Sequence, residues 1–349
     1  METRTLTLYA ILLAIFFLGV SLTVYFYLQM TGHAAPPDAT LTKNLGVYSE
    51  FKPAPLTCPT DNVVTDYMVA GSGYSVLPGK TVYSYVTADA ITKVIEGGAR
   101  IVELHVYDVN KDPVVGVADE KTKKMLTYNT VPFEACCQAI GNSAFKQPSP
   151  FILSLVFHTE DTLVINKCAD ILKNTLRKFM LDSSYSYQRK NLALEPICNL
   201  LNKLVIVSGD RHKGTGMDEL VNLSWSSSLC RRLTYTQAAQ TYDHDELIEY
   251  NKRNITLVVP DLNTSSMANQ NAEICFSYGC QWVLMNYGSL DNAMELYVGR
   301  FGEAAFLVKP DELRYKPVTY KKPDPQDPNV SFQPKRMTSP LFDFTVGSV

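Results

Sequence analysis

Between residues 62 and 308 the chain alternates short apolar runs of strand length with longer runs of helical period. Asn62–Ala70 reads as a strand ending in Gly71-Ser72-Gly73, Ala88–Gly98 as a helix closed by two glycines, and Arg100–Asp108 as a second strand. Asp112–Val117 is a short apolar strand, Val131–Phe145 a helix, Phe151–Phe157 a buried strand, and Thr159–Leu181 a long amphipathic helix opened by Glu160 and Asp161. Leu204–Ser208 ends the first half, and the hydrophilic stretch Gly209–Glu219 reads as a flexible link. Strands and helices then alternate again through Asn222–Trp225, Ala238–Asn251, Ile255–Val259, Gln281–Tyr287, Met294–Val298 and Ala305–Val308. Repeated βα units imply a parallel sheet covered by helices, and about eight strands over about 250 residues imply a closed (β/α)₈ barrel.

The ends of the chain have a different texture. Thr5–Gly32 carries no charged residue, and Leu6–Leu28 is long enough for a bilayer that needs about 20 apolar residues. Tyr9, Tyr25 and Tyr27 lie towards its ends, as interfacial aromatics do. A cleavable signal peptide is the rival, since Gly32-His33-Ala34 offers small residues, but its apolar region should run only about 7–15 residues. The division expected is an uncleaved membrane anchor over 1–32, an extended spacer over 33–60, a barrel over 61–315 and a proline-rich extended tail over 316–349. Within the barrel the halves are 61–208 and 221–315, joined by a short link at 209–220. Arg4 and Lys43 nearly cancel under the positive-inside rule, so orientation is weakly encoded; the body is expected on a lumenal or extracellular side.

A net charge of −3 gives no footprint for nucleic acid, and the basic run Lys121–Lys124 reads as a solvated turn. The eight cysteines show no metal-ligand spacing, which argues against zinc and leaves disulfides open. Sequons stand at Asn222, Asn254, Asn263 and Asn329, permitting a lumenal or extracellular face.

Candidate chemistry centres on Arg100–Asp108, whose alternation points Glu103 and His105 to one face near the C-terminal end of a strand. His158, two residues beyond Val156 on a neighbouring strand, could join them. One carboxylate with two imidazoles makes a general acid–base or transition-metal set. The plainer reading is a polar pair satisfied by neighbouring hydrogen bonds.

Ordered motifs across roughly Val63 to Arg314 resemble the calcium-dependent, phosphoinositide-specific phospholipase C family. Ser72-Gly-Tyr-Ser-Val-Leu77 stands where the family has Ser-His-Asn-Thr-Tyr-Leu, Val102-Glu-Leu-His105 where it has Val-Glu-Leu-Asp, and Pro150-Phe-Ile-Leu-Ser-Leu-Val-Phe-His158 where it has Pro-Val-Ile-Leu-Ser-Leu-Glu-Asn-His. Gly279-Cys-Gln-Trp-Val-Leu-Met-Asn-Tyr287 and Phe306-Leu-Val-Lys-Pro-Asp-Glu-Leu-Arg314 are similar to its closing motifs. The resemblance implies a distorted (β/α)₈ barrel in X and Y halves. It also implies that Gly73 and Val117 stand where the family has catalytic histidines, and that Tyr74, His105 and Val156 replace calcium ligands, with Glu103 retained. Val207, Gly209, Leu257 and Val259 would replace groups that hold the phosphorylated head. Calcium takes six to eight oxygens, which one carboxylate does not supply.

The expectation is therefore a membrane-anchored, catalytically inactive barrel serving as a structural or binding module, with no metal and no cofactor. Its partners would be the bilayer, through residues 6–28, and proteins, through the barrel mouth or the 316–349 tail. The alternative is a re-tooled phosphodiesterase or lipase-type enzyme using Glu103, His105 and His158.

Overall fold

The computed structural model describes residues 2–31, 62–317 and 334–347, with positions 43 and 56. Cys58, most of the expected spacer, the stretch 318–333 and the Asn329 sequon lie outside the described residues.

Helix α1 (Glu2–Thr31) exposes apolar side chains around its circumference between Ile11 and Phe26. Its described side chains run unbroken only from Ile11 to Phe26. Among the described residues no helix is long and apolar enough to cross a membrane.

The body starts with β1 (Tyr67–Ser72), every residue of which is buried. Helix α2 (Ala88–Glu96) starts where Thr87 accepts from Ala90 N, buries Ile91, Val94 and Ile95 on one side, and is closed by Gly98 at φ +100°. Strands β2 (Ile101–Val109) and β3 (Asp112–Val115) form a hairpin, and β4 (Val131–Pro132) adds to β3 before α3 (Phe133–Ser143). After β5 (Phe151–Phe157), Asp161 caps α4 (Thr162–Leu176) through Leu163 N at 2.9 Å, and Ile165, Cys168, Ala169, Leu172 and Leu176 form its buried stripe. Then follow β6 (Leu204–Ser208), β7 (Leu223–Ser224), β8 (Cys230–Thr234), α5 (Tyr235–Ala239), α6 (His244–Arg253), β9 (Ile255–Val259), α7 (Ala272–Ser277), β10 (Trp282–Met285), α8 (Asn292–Arg300) and β11 (Phe306–Val308).

The sheet runs β7-β6-β5-β2-β1-β10-β9-β8, with every pairing along this path parallel. This is a barrel-like α/β fold; no backbone pairing joins β7 to β8 among the described residues, so the ring has a seam there. The expected eight parallel strands are present, but their membership differs from the sequence reading. Ala305–Val308 pairs antiparallel with β1 and lies outside the path. Its place is taken by β8, whose Arg231 and Arg232 hide it from an apolar pattern. The single helix expected over Ala238–Asn251 is split into α5 and α6, because Asp243 caps a new start by accepting from Glu246 N at 2.9 Å. Helix α7 was not anticipated. The supposedly flexible Gly209–Glu219 link instead holds a 3₁₀ turn at Asp210–His212, buries His212 and Met217, and is tied to α4 by Gly216 N donating to Asn166 Oδ1 at 2.6 Å.

The end of the barrel formed by the strands' N-termini is closed by a buried polar knot. Gln281 Nε2 donates to the carbonyls of Asn251 (2.6 Å) and Asn254 (2.9 Å), while its Oε1 accepts from Thr256 N at 3.0 Å. Lys309 Nζ reaches the Asn251 and Gly279 carbonyls at 2.9 and 3.2 Å, with Gly279 in the left-handed region at φ +74°. Burial pushes the Lys309 ammonium down to about 8.

The residues 316–349 form a separate unit. Within it β12 (Lys335–Ser339) and β13 (Phe342–Val346) pair antiparallel, with an Arg336–Asp343 ion pair at 2.6 Å, where the sequence pattern gave only an extended tail. The seven described cysteines are free, and no disulfide occurs among the described residues.

Because Gln281 satisfies three backbone groups between Asn251 and Thr256, Gln281→Leu should cost about 2–4 kcal/mol. The check is urea unfolding, where the midpoint should fall with the slope unchanged.

Candidate functional site

The pleat of β2 turns Glu103, His105 and Tyr107 into the barrel, and the parallel register with β5 sets Ser154 beside Glu103 and Val156 beside His105. Glu103 is fully buried and both of its oxygens are occupied. Oε2 accepts from Arg232 Nε at 3.1 Å and Ser154 Oγ at 3.0 Å; Oε1 accepts from Arg232 Nη2 at 2.8 Å and faces His105 Nε2 at 3.1 Å. Arg232 comes from β8, on the far side of the ring. The contact is a two-pronged guanidinium–carboxylate pair across the barrel interior. Burial alone would raise the Glu103 carboxyl, but Arg232 and the His105 hydrogen bond outweigh it and hold the group well below the usual carboxylate range.

Above this pair the rings form a stack of four. Tyr74 lies on His105 at 4.6 Å and 9°, His105 on His158 at 5.1 Å and 16°, and His158 on Tyr107 at 4.4 Å and 6°. His105 Nδ1 and His158 Nε2 are 2.9 Å apart. An ionised carboxylate only accepts, so His105 Nε2 donates to Glu103, and both nitrogens of that imidazole are engaged. Burial first, then His105, pushes His158 down to about 3, leaving it neutral near pH 7. Tyr107 accepts from Ala118 N at 3.0 Å, and burial raises its phenol to about 12.

The surrounding positions are filled. A Cβ at Gly73 would lie 2.6 Å from Pro260 Cδ, and one at Gly209 would lie 2.6 Å from Trp225 Nε1. Tyr74, immediately after Gly73, holds φ +49°, a conformation costly for a bulky residue and maintained by its stacking on His105. Val117, Val207, Leu257 and Val259 are buried, and Val156 is half-buried. Above them opens a mouth of about 760 Å³ whose lining includes Tyr74, Asp119, Glu120, Arg232 and Asp261.

Glu103, His105 and His158, paired on sequence grounds, do come into direct contact, and Tyr74 joins them. Gly73, Val117 and Val156 offer no polar group to this set. Arg232, Ser154, Tyr107, Trp225 and Pro260 were missed. Tyr107 simply extends the Glu103–His105 alternation and Ser154 interrupts an otherwise apolar strand, so both could have been found; Arg232 lies 129 residues from its partner, and nothing local marks it. The residues present do not fit calcium: Glu103 already meets a cation at hydrogen-bond distance and has no free lone pair facing an open site. Among the described residues no group of three or more His, Cys, Asp or Glu is placed to hold a metal ion.

Residues 60–209 match the model of the phosphatidylinositol-specific phospholipase C X domain, and residues 204–312 that of its Y domain. The chain therefore belongs to the phosphatidylinositol-specific phospholipase C family. It is 36% identical over 72 residues to the 1-phosphatidylinositol 4,5-bisphosphate phosphodiesterases beta-4 of Bos taurus and Homo sapiens, a match covering 20% of this chain and 7% and 6% of theirs. The corresponding Drosophila melanogaster enzyme is 32% identical over 72 residues. Among solved structures, S. officinalis PLC21 superposes with a TM-score of 0.65 at 20% identity, covering 74% of this chain and 38% of that one. L. pealei PLC21 gives 0.64 at 19%. At such identities the likeness establishes the fold, and the chain spans only a small part of its relatives.

Removing Arg232 leaves a buried carboxylate without its counter-charge. Arg232→Met should destabilise by about 3–5 kcal/mol, and the double variant with Glu103→Leu should recover most of that loss, as a double-mutant cycle in urea will show. A second expectation concerns acid. The folded pKa of His158 lies below its unfolded value of 6.5, so its contribution is complete above that pH and is lost as pH falls towards 3. The slope should be on the order of 1 kcal/mol per pH unit below 6.5. His158→Gln should flatten urea midpoints measured between pH 6.5 and 4.5, before the Glu103 carboxyl adds a loss of the same sign.

Proposed function

We propose that this chain is a membrane-anchored phospholipase C-like barrel without phosphodiesterase activity, which serves as a structural or binding module with its body on the lumenal or extracellular side. The observation that carries this reading is the saturation of Glu103 by Arg232, His105 and Ser154. Hydrolysis in this family would need a cation to neutralise the phosphoryl oxygens and a free imidazole to move protons. Here the cation is a guanidinium already bound, and the His105 imidazole is engaged at both nitrogens. Pro260 and Trp225 fill the space beside positions 73 and 209, so single substitutions to histidine or lysine there would clash before they could act. The apolar surface of α1 between Ile11 and Phe26 supports an anchor, because a stretch apolar all round needs lipid or protein cover.

The Glu103–His105–His158 row also supports a second reading, an acid–base set of a re-tooled phosphodiesterase or lipase-type enzyme. That reading requires His158 Nδ1, the nitrogen outside the row, to meet the substrate.

The full chain in detergent should release no inositol phosphate from phosphatidylinositol or its 4,5-bisphosphate at millimolar calcium. Calcium-dependent turnover abolished by Glu103→Ala would overturn the first reading. Hydrolysis that survives chelation and is lost in His158→Gln would establish the second.

A further inference from the structure

The sequons separate sharply once placed on the fold. Asn222 precedes β7 beside the middle of β6 and is buried, with Oδ1 accepting from Ile206 N at 2.8 Å and Nδ2 donating to the Tyr185 carbonyl at 3.2 Å. A sugar on that nitrogen would have to displace the Tyr185 carbonyl from its buried contact. Asn254, between α6 and β9, is half-buried at the closed end of the barrel, and the hydroxyl of its sequon, on Thr256, is fully buried and donates to Asn251. Asn254 therefore stands away from the mouth, since it precedes the N-terminus of β9.

Asn263 differs in every respect. It follows the C-terminus of β9, is exposed, and lines both the 760 Å³ mouth and the neighbouring 310 Å³ pocket. Its Oδ1 accepts from Ser265 N at 2.9 Å in an Asx turn, and Ser265, which carries the hydroxyl of the sequon, is exposed as well. The loop bearing it is held by the base rather than by Asn263 itself. Asn286 Nδ2 donates to the Met267 carbonyl at 3.0 Å, and Asn269 Oδ1 accepts from Asn286 N at 2.7 Å.

We infer that Asn263 is an N-glycosylation site whose glycan stands over the barrel mouth. This rests on the lumenal or extracellular placement proposed above. In the transfer, Nδ2 attacks C1 of a lipid-pyrophosphate-linked oligosaccharide. The N–C1 bond forms, the C1–O bond to pyrophosphate breaks, the pyrophosphate lipid leaves with the electron pair, and Nδ2 loses a proton. Several sugar residues at that rim exclude a flat bilayer from the mouth. The surface left for partners is then the sides of the barrel or the tail.

The full chain is expressed in a eukaryotic host with an intact secretory pathway and read by mobility before and after peptide N-glycosidase. In an Asn254→Gln/Asn329→Gln background one glycosidase-sensitive shift should remain, and Asn263→Gln should abolish it. Protease protection in sealed microsomes separates the two layers of the claim. A protected body with no shift in that background overturns the glycan, whereas a body digested from outside overturns the placement and the glycan with it. For the mouth, a thiol at the exposed lining position, Lys121→Cys, should react with a bulky maleimide several-fold faster once the glycan is removed. Equal rates would refute its covering position.

Discussion

A carboxylate with no solvent contact must be paired or protonated, and the interior of this barrel is arranged around that requirement at Glu103. Arg232 supplies the opposite charge in a two-pronged contact, Ser154 and His105 complete the oxygens' partners, and the position of His105 in turn fixes His158, Tyr74 and Tyr107 in one stack. The mouth is therefore built over a charge that the chain itself neutralises. Each ring above the pair depends on its orientation. The left-handed backbone of Tyr74 is an expense that this stack, burial of the ring and the Leu77 N bond to its carbonyl offset together.

The two ends of the barrel divide frame from chemistry. At the closed end Gln281 and Lys309 both donate to the Asn251 carbonyl, and these two residues lie in motifs that made the family legible. At the open end the same family resemblance points to positions now occupied by glycine, valine, leucine and tyrosine. Such a division follows from the physics of barrels, in which the strands' N-terminal face governs stability and the C-terminal face governs reaction.

How much could be read in advance varied with the kind of signal. Long apolar strands such as Phe151–Phe157, and helices with a capping residue and a buried stripe such as Thr162–Leu176, announce themselves through periodicity. Strand Cys230–Thr234 does not, because its two arginines are explained only by tertiary partners: Arg231 pairs with Glu246 and Arg232 with Glu103. The link after Ser208 looked loose for the converse reason. Its charges face outward while His212 and Met217 turn in, and a hydrophilic average conceals two buried anchors. Likewise Glu103 and His105 were visible as neighbours on a strand face, but whether they served a ligand or each other depended on a residue contributed from the other half of the chain.

The seam between β7 and β8 gives the barrel one place where its perimeter is not stitched by main-chain ladders. Trp225, just past β7, and Arg232, on β8, face each other there with the guanidinium 5.6 Å from the indole ring. Side chains thus span a gap that peptide groups leave open, and because Arg232 also grips Glu103 on the opposite wall, this margin is tied to the barrel interior by a buried ion pair. Closure of the ring at this one margin is therefore the task of an indole and a guanidinium, not of paired peptide groups.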